Sequence, residues 1–131
     1  MGTFHTACRI ENVADRRRGA KIARMLVETG SEYTWVPEGV LERVGVAREK
    51  KDIEFVMANG QRITRSVGFG IIRLDRYFTV DELVFAQKGD MTLLGARTLE
   101  GLNLAVDSRR KRLVAAGPLP VASIELRRLV G

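Results

Sequence analysis

The stretch from Ile53 to Ile71 carries the strongest folding instruction in the chain. One β-favouring run passes Ile53, Phe55 and Met57 and reaches Ala58-Asn59-Gly60-Gln61; a second leaves through Val67, Phe69 and Ile71. Asn-Gly between such runs predicts a hairpin, because both residues tolerate positive φ. Gly68 and Gly70 fall on the other face of the return strand. They predict a bulge or a close backbone approach.

Short strands separated by turn signals make up most of the rest. Phe4 to Ile10, Lys21 to Val27, Tyr33 to Val36 and Tyr77 to Phe85 read as strands. Asn12 to Gly19 reads as a turn with Arg16, Arg17 and Arg18 at its tip. Pro37 opens a short helix, Glu38 to Val44, and Gly45 stops it. Leu93-Leu94-Gly95 leads into a second short helix at about Arg97 to Leu102, and a final hairpin pairs Asn103 to Val106 with Arg112 to Val114. This pattern predicts an all-β fold, a closed or partly closed barrel with one or two short helices. Residues 1–117 form the domain. Gly117-Pro118-Leu119-Pro120 breaks the pattern, and residues 118–131 follow as a tail that either docks or frays.

Composition narrows the functional classes. The chain has 131 residues, 45% hydrophobic and 29% charged, which suits one globular domain and excludes a disordered tail. Its one cysteine, Cys8, excludes an intrachain disulfide, and with one histidine, His5, a clustered zinc site lacks ligands. On a strand, residues three apart point to opposite faces, which argues against a Cys8–His5 nucleophile pair. No apolar run approaches the roughly 20 residues of a membrane span. The first residues lack the pattern of a signal peptide, so the expected address is the cytoplasm. No phosphate loop or dinucleotide fingerprint is present.

The net charge is +6 and sits at the ends: residues 1–24 and 97–131 carry +4 each, residues 25–96 carry −2. Arg16-Arg17-Arg18 and Arg109-Arg110-Lys111-Arg112 can track phosphates, or serve as solvated turns. Aromatic residues are only 6% of the chain, and the strands show no row of stacking rings, which argues against nucleic acid as the partner.

One segment does not read as plain structure. Leu26-Val27 ends in Glu28, then Thr29, Gly30 and Ser31. Apolar flanks bury such a carboxylate in part, and glycine lets the backbone turn sharply beside it. That is one way to build a general acid or base, and also an ordinary way to cap a turn.

The run Glu28-Thr29-Gly30-Ser31-Glu32-Tyr33-Thr34-Trp35-Val36-Pro37 resembles the active-site segment of aspartic proteases, an apolar run followed by Asp-Thr/Ser-Gly-Ser/Ala. Trp35-Val36-Pro37 sits at the spacing found in pepsin-like members. Leu93-Leu94-Gly95, 65 residues beyond Glu28, matches the family's second landmark, two apolar residues and a glycine before a helix. The Phe55 to Arg73 hairpin stands where the family places a flap. The order, from about Thr3 to Val114, is similar to the retroviral-type, single-domain branch.

The resemblance implies a closed retropepsin-like acid-protease barrel, a polypeptide substrate and an aspartic endopeptidase activity. Glu28, Thr29 and Gly30 would be the catalytic residues. Ser31, Met57, Ala58, Asn59, Gly60, Leu93 and Leu94 would bind substrate, with Asn59 and Gly60 at the flap tip. The chain holds one such motif, so the second carboxylate would come from a homodimer partner. Neither metal nor organic cofactor is implied, because water and carboxylates suffice.

One departure matters: glutamate stands where the family has aspartate. Its extra methylene moves the carboxylate by about 1 Å, and misplacement of that size can cost about 100-fold in rate. Three readings stay open at this point: an aspartic endopeptidase weakened or inactivated by Glu28, a non-catalytic peptide-binding or dimerisation module on the same fold, and a small basic barrel that binds nucleic acid.

Overall fold

A computed structural model describes residues 3–121. Strands β1 (His5–Glu11), β2 (Gly19–Val27) and β3 (Thr34–Pro37) come first, followed by helix α1 (Glu38–Val44). Strands β4 (Lys50–Val56), β5 (Arg62–Leu74), β6 (Tyr77–Ala86) and β7 (Leu93–Leu94) precede helix α2 (Ala96–Leu102). A small hairpin, β8 (Leu104–Asp107) and β9 (Arg112–Ala115), ends the described fold. The described residues are thus mostly β, with two short helices. Neither helix is long or apolar enough to cross a membrane. Of the tail, residues 118–121 have no helix or strand, and 122–131 lie outside the described residues.

Seven strands form one sheet in the order β1-β2-β7-β3-β6-β5-β4. β5 also pairs with β1, through Arg73–Arg9, Ile72–Ile10 and Ile71–Glu11. Two pairings are parallel, β2 with β7 and β3 with β6. Parallel strands tend to be buried on both faces and to read as unbroken apolar runs. Adjacent residues here follow that rule. Val27, Val36, Phe85 and Leu94 enter the larger core cluster, while their neighbours Leu26, Trp35, Val84 and Leu93 enter a smaller one on the other face.

The helix limits have local causes. Gly45 ends α1 at φ 87°, donating its N–H to Leu41 O and Glu42 O. That left-handed conformation favours glycine. Asn103, expected to open a strand, instead caps α2 at φ 55°, a conformation that asparagine tolerates better than most residues. The following strand therefore starts at Leu104.

Two expectations for the Ile53–Ile71 hairpin are corrected. At the tip only Gly60 takes positive φ, at 86°, and Asn59 does not. The loop is the three-residue kind: Gly60 N–H bonds Met57 O at 2.8 Å, and Met57 N–H bonds Gln61 O at 2.8 Å. The Asn59 side chain accepts the Gln61 N–H at 2.9 Å, which holds the tip without a second left-handed residue. Along the return strand Val67 and Ile71 are buried, whereas Phe69 is 42% exposed. The close approach expected at the glycines is present. A Cβ on Gly68 would lie 2.2 Å from Ala47 O, so the side facing the larger cluster is filled by backbone.

Cys8 is buried, with its sulfur 2.9 Å from that of Met25. Burial pushes its thiol pKa up to about 12. A thiol held protonated and out of solvent is inert as a nucleophile.

Candidate functional site

β2 ends at Val27, and the chain loops through residues 28–33 before returning as β3. β7 lies between these two strands: Leu26 and Val27 pair with Leu93 and Leu94, and Trp35 pairs with Leu93 from the other side. Backbone bonds extend the seam past the strands. Leu26 N–H donates to Thr92 O at 3.2 Å, and Glu28 N–H to Leu94 O at 3.0 Å. In the other direction Ala96 N–H donates to Ser31 O at 2.7 Å, and Arg97 N–H to Glu32 O at 3.2 Å. The loop is fastened at one arm to a strand only two residues long and at the other to the first turn of α2.

Gly95 is needed at this junction. A Cβ there would fall 2.3 Å from Tyr33 O, so only glycine lets the segment after β7 pass under the loop. Its N–H donates to Thr34 Oγ1 at 2.9 Å. Thr34 Oγ1 lies 2.6 Å from Thr98 Oγ1, and Thr98 donates to Asp81 Oδ2 at 2.9 Å. An ionised carboxylate only accepts, so the hydrogens run one way, from Gly95 through Thr34 and Thr98 to Asp81. Thr34 and Thr98 are fully buried, and this chain satisfies both hydroxyls.

Within the loop, Ser31 N–H bonds Glu28 O at 3.2 Å, and Ser31 Oγ donates to Tyr33 O at 2.9 Å. Glu28 is half-buried, and its Oε1 accepts the Gly30 N–H at 2.9 Å. The longer side chain folds back onto its own loop. Thr29 and Gly30 are exposed at the apex.

The loop opens onto a hollow of about 500 Å³. Most of its wall is apolar: Tyr33, Trp35 and Leu93 from the seam, Phe55 and Met57 from the β4–β5 hairpin, and Met91. Phe55 packs edge-on to Tyr33, with ring centres 5.5 Å apart, and tilted to Trp35 at 5.0 Å. Arg65 of β5 pins the hairpin to the turn before β7, donating to both Asp90 oxygens at 2.7 and 2.9 Å. Those bonds hold the Asp90 carboxyl below the usual range, against the opposing effect of burial. Glu82 is held low in the same way, first by Lys50 from the foot of the hairpin.

Glu28, Gly30, Ser31, Met57, Ala58 and Leu93, anticipated from the sequence, all border this hollow. Asn59 and Gly60 sit beyond it at the hairpin tip. Leu94 is fully buried in the larger core cluster and meets the loop through its carbonyl instead. Glu32, Asp90 and Met91 also border the hollow and were not anticipated. Phe55 was legible as the same-face neighbour of Met57 on one strand. Asp90 and Met91 carry no local signal; only the pairing of β7 with β2 and β3 brings them in. No protein-family model matches this chain, and no curated protein matches it.

Proposed function

We propose that this chain is a retropepsin-like aspartic endopeptidase that works as a homodimer, with Glu28 in the position of the family's aspartate. The observation that carries the reading is the passage of β7 between the two arms of the Glu28–Tyr33 loop, beside a hollow that the β4–β5 hairpin also borders. The pairing of β5 with β1 as well as β6 supports a closed barrel.

In this reading the Glu28 carboxylates of two protomers meet at the twofold axis and share one proton, because two such close charges cannot both persist. The ionised carboxylate takes a proton from a water molecule, whose oxygen bonds to the peptide carbonyl carbon. The protonated carboxyl donates to the carbonyl oxygen. Collapse of the adduct breaks the C–N bond; the amine leaves with a proton from one carboxyl, and an adduct hydroxyl returns its proton to the other, so the dyad again holds one shared proton. Gly30 N–H orients the carboxylate, and the apolar hollow receives a large apolar side chain of the peptide.

The test is a side-by-side assay of the Glu28 protein and its Glu28→Asp variant on a mixed peptide library, from acid to neutral pH. Glu28→Asp is expected to raise acid-side cleavage by up to about 100-fold. Equal cleavage by both proteins would mean that the longer carboxylate is tolerated. No cleavage by either, with both folded, would overturn the hydrolase reading and favour the second one, a peptide-binding or dimerisation module. Glu28 itself is the observation behind that second reading, since it departs from the residue the chemistry ordinarily uses.

A further inference from the structure

The hollow has a charge that the chain as a whole does not. The protein is basic, at +6, yet among the described residues those bordering the hollow include three carboxylates, Glu28, Glu32 and Asp90, and no lysine or arginine. Two of the three are committed. Asp90 is neutralised by Arg65 and also accepts the Gln87 N–H at 2.8 Å. Glu28 is held by Gly30 and belongs to the proposed dyad. Glu32 remains. Its carbonyl is fixed by Arg97 N–H, so the residue has a defined place, while its exposed carboxylate makes no salt bridge among the described residues. Arg97, whose backbone holds the Glu32 carbonyl, has its own guanidinium taken by Glu82 at 3.4 Å and by the Tyr33 ring at 4.9 Å.

We propose that the hollow selects peptides in which lysine or arginine stands beside the bound large apolar residue, and that Glu32 determines this specificity. The inference rests on the peptide-binding part of the reading above, not on turnover. The physical fit has two parts. Met57 and Met91 offer flexible, polarisable surface for the aliphatic stem of a lysine or arginine. The carboxylate of Glu32 then meets the charged head at the edge of an apolar wall, where a charge pair is screened less than in open water.

Trp35 is the only tryptophan of the chain and lines the hollow, so its fluorescence reports occupancy directly. Three tryptophan-free peptides, alike except for lysine, glutamine or glutamate beside one leucine, would be titrated, with calorimetry as a second readout. The lysine peptide is expected to bind about tenfold more tightly than the glutamate peptide, the scale of one charge-assisted contact. Added salt should narrow that gap. Glu32→Gln should erase the preference and Glu32→Arg should invert it; the side chain is exposed, so both variants should fold. Equal binding of all three peptides, or a preference that survives Glu32→Gln, overturns the charge selection alone. Silence toward all three in both readouts overturns the peptide reading together with it. Lysine-selective binding without any cleavage upholds this inference and counts against the hydrolase.

Discussion

Glu11 is 4% exposed and still charged, because two guanidinium groups hold it. Arg73 donates to both of its oxygens, at 2.9 and 3.0 Å, and Arg9 donates at 2.9 Å. These bonds, Arg73 first, keep the Glu11 carboxyl below the usual range against the cost of burial. A carboxyl whose folded pKa is depressed contributes stability above its unfolded pKa. That contribution fades as pH falls through the folded value. Glu82 and Asp90 shift in the same direction, so acid should erode stability through several groups together. Glu11→Gln is expected to cost about 1.5–3 kcal/mol at neutral pH, the scale for hydrogen bonds to charged groups. Urea unfolding across a descending pH series should show the gap between Glu11→Gln and the parent closing in acid. A constant gap would show that charge is not what Glu11 contributes. Little of this was legible in the sequence, because Glu11 and Arg73 lie 62 residues apart and meet only through the β1–β5 register.

At the scale of elements, β7 shows how two residues become a structural centre. A two-residue strand has almost no stability of its own; it persists because β2 flanks one edge and β3 the other. The buried run from Gly95 through Thr34 and Thr98 to Asp81 ties the same point to β3, α2 and β6. Gly95→Ala would drive a Cβ to 2.3 Å from Tyr33 O, a backbone atom with nowhere to go. The expected loss is about 1–3 kcal/mol from overpacking, read as a lower urea midpoint. It should come with weaker peptide binding, because the obstruction lies under the loop. A variant of unchanged stability would mean that the loop shifts freely and that the seam at Gly95 is not tight. The helices, by contrast, were legible from local chemistry. Pro37 and Gly45 bound α1 at the expected residues, since a fixed φ and a left-handed cap act without tertiary help. The hairpin was legible as a hairpin but not in its turn type. Asn59 used its side chain, and sequence does not say which of asparagine's two options wins.

At the scale of the whole molecule, each protomer carries half of the proposed machinery. Thr29 and Gly30 are exposed at the loop apex, where the proposed twofold contact would form. Sedimentation equilibrium is expected to show a concentration-dependent mass rising to twice that of the chain. Cleavage by the Glu28→Asp variant should fall more steeply than linearly on dilution. A strictly monomeric protein that still cleaves would overturn the shared dyad. The charge pattern also takes on meaning only at this scale. The basic excess at the chain ends was visible by counting, whereas the acidic lining of the hollow was not. By itself the sequence determined what depends on near neighbours: strand periodicity, the breaks between strands, the helix caps and the conspicuous Glu28-Thr29-Gly30 run. Only the tertiary structure decided which carboxylates are paired, which apolar residues wall the hollow and which glycines admit a crossing backbone. Those outcomes depend on contacts between distant segments, and neither the register nor the burial that creates them is encoded within any one segment.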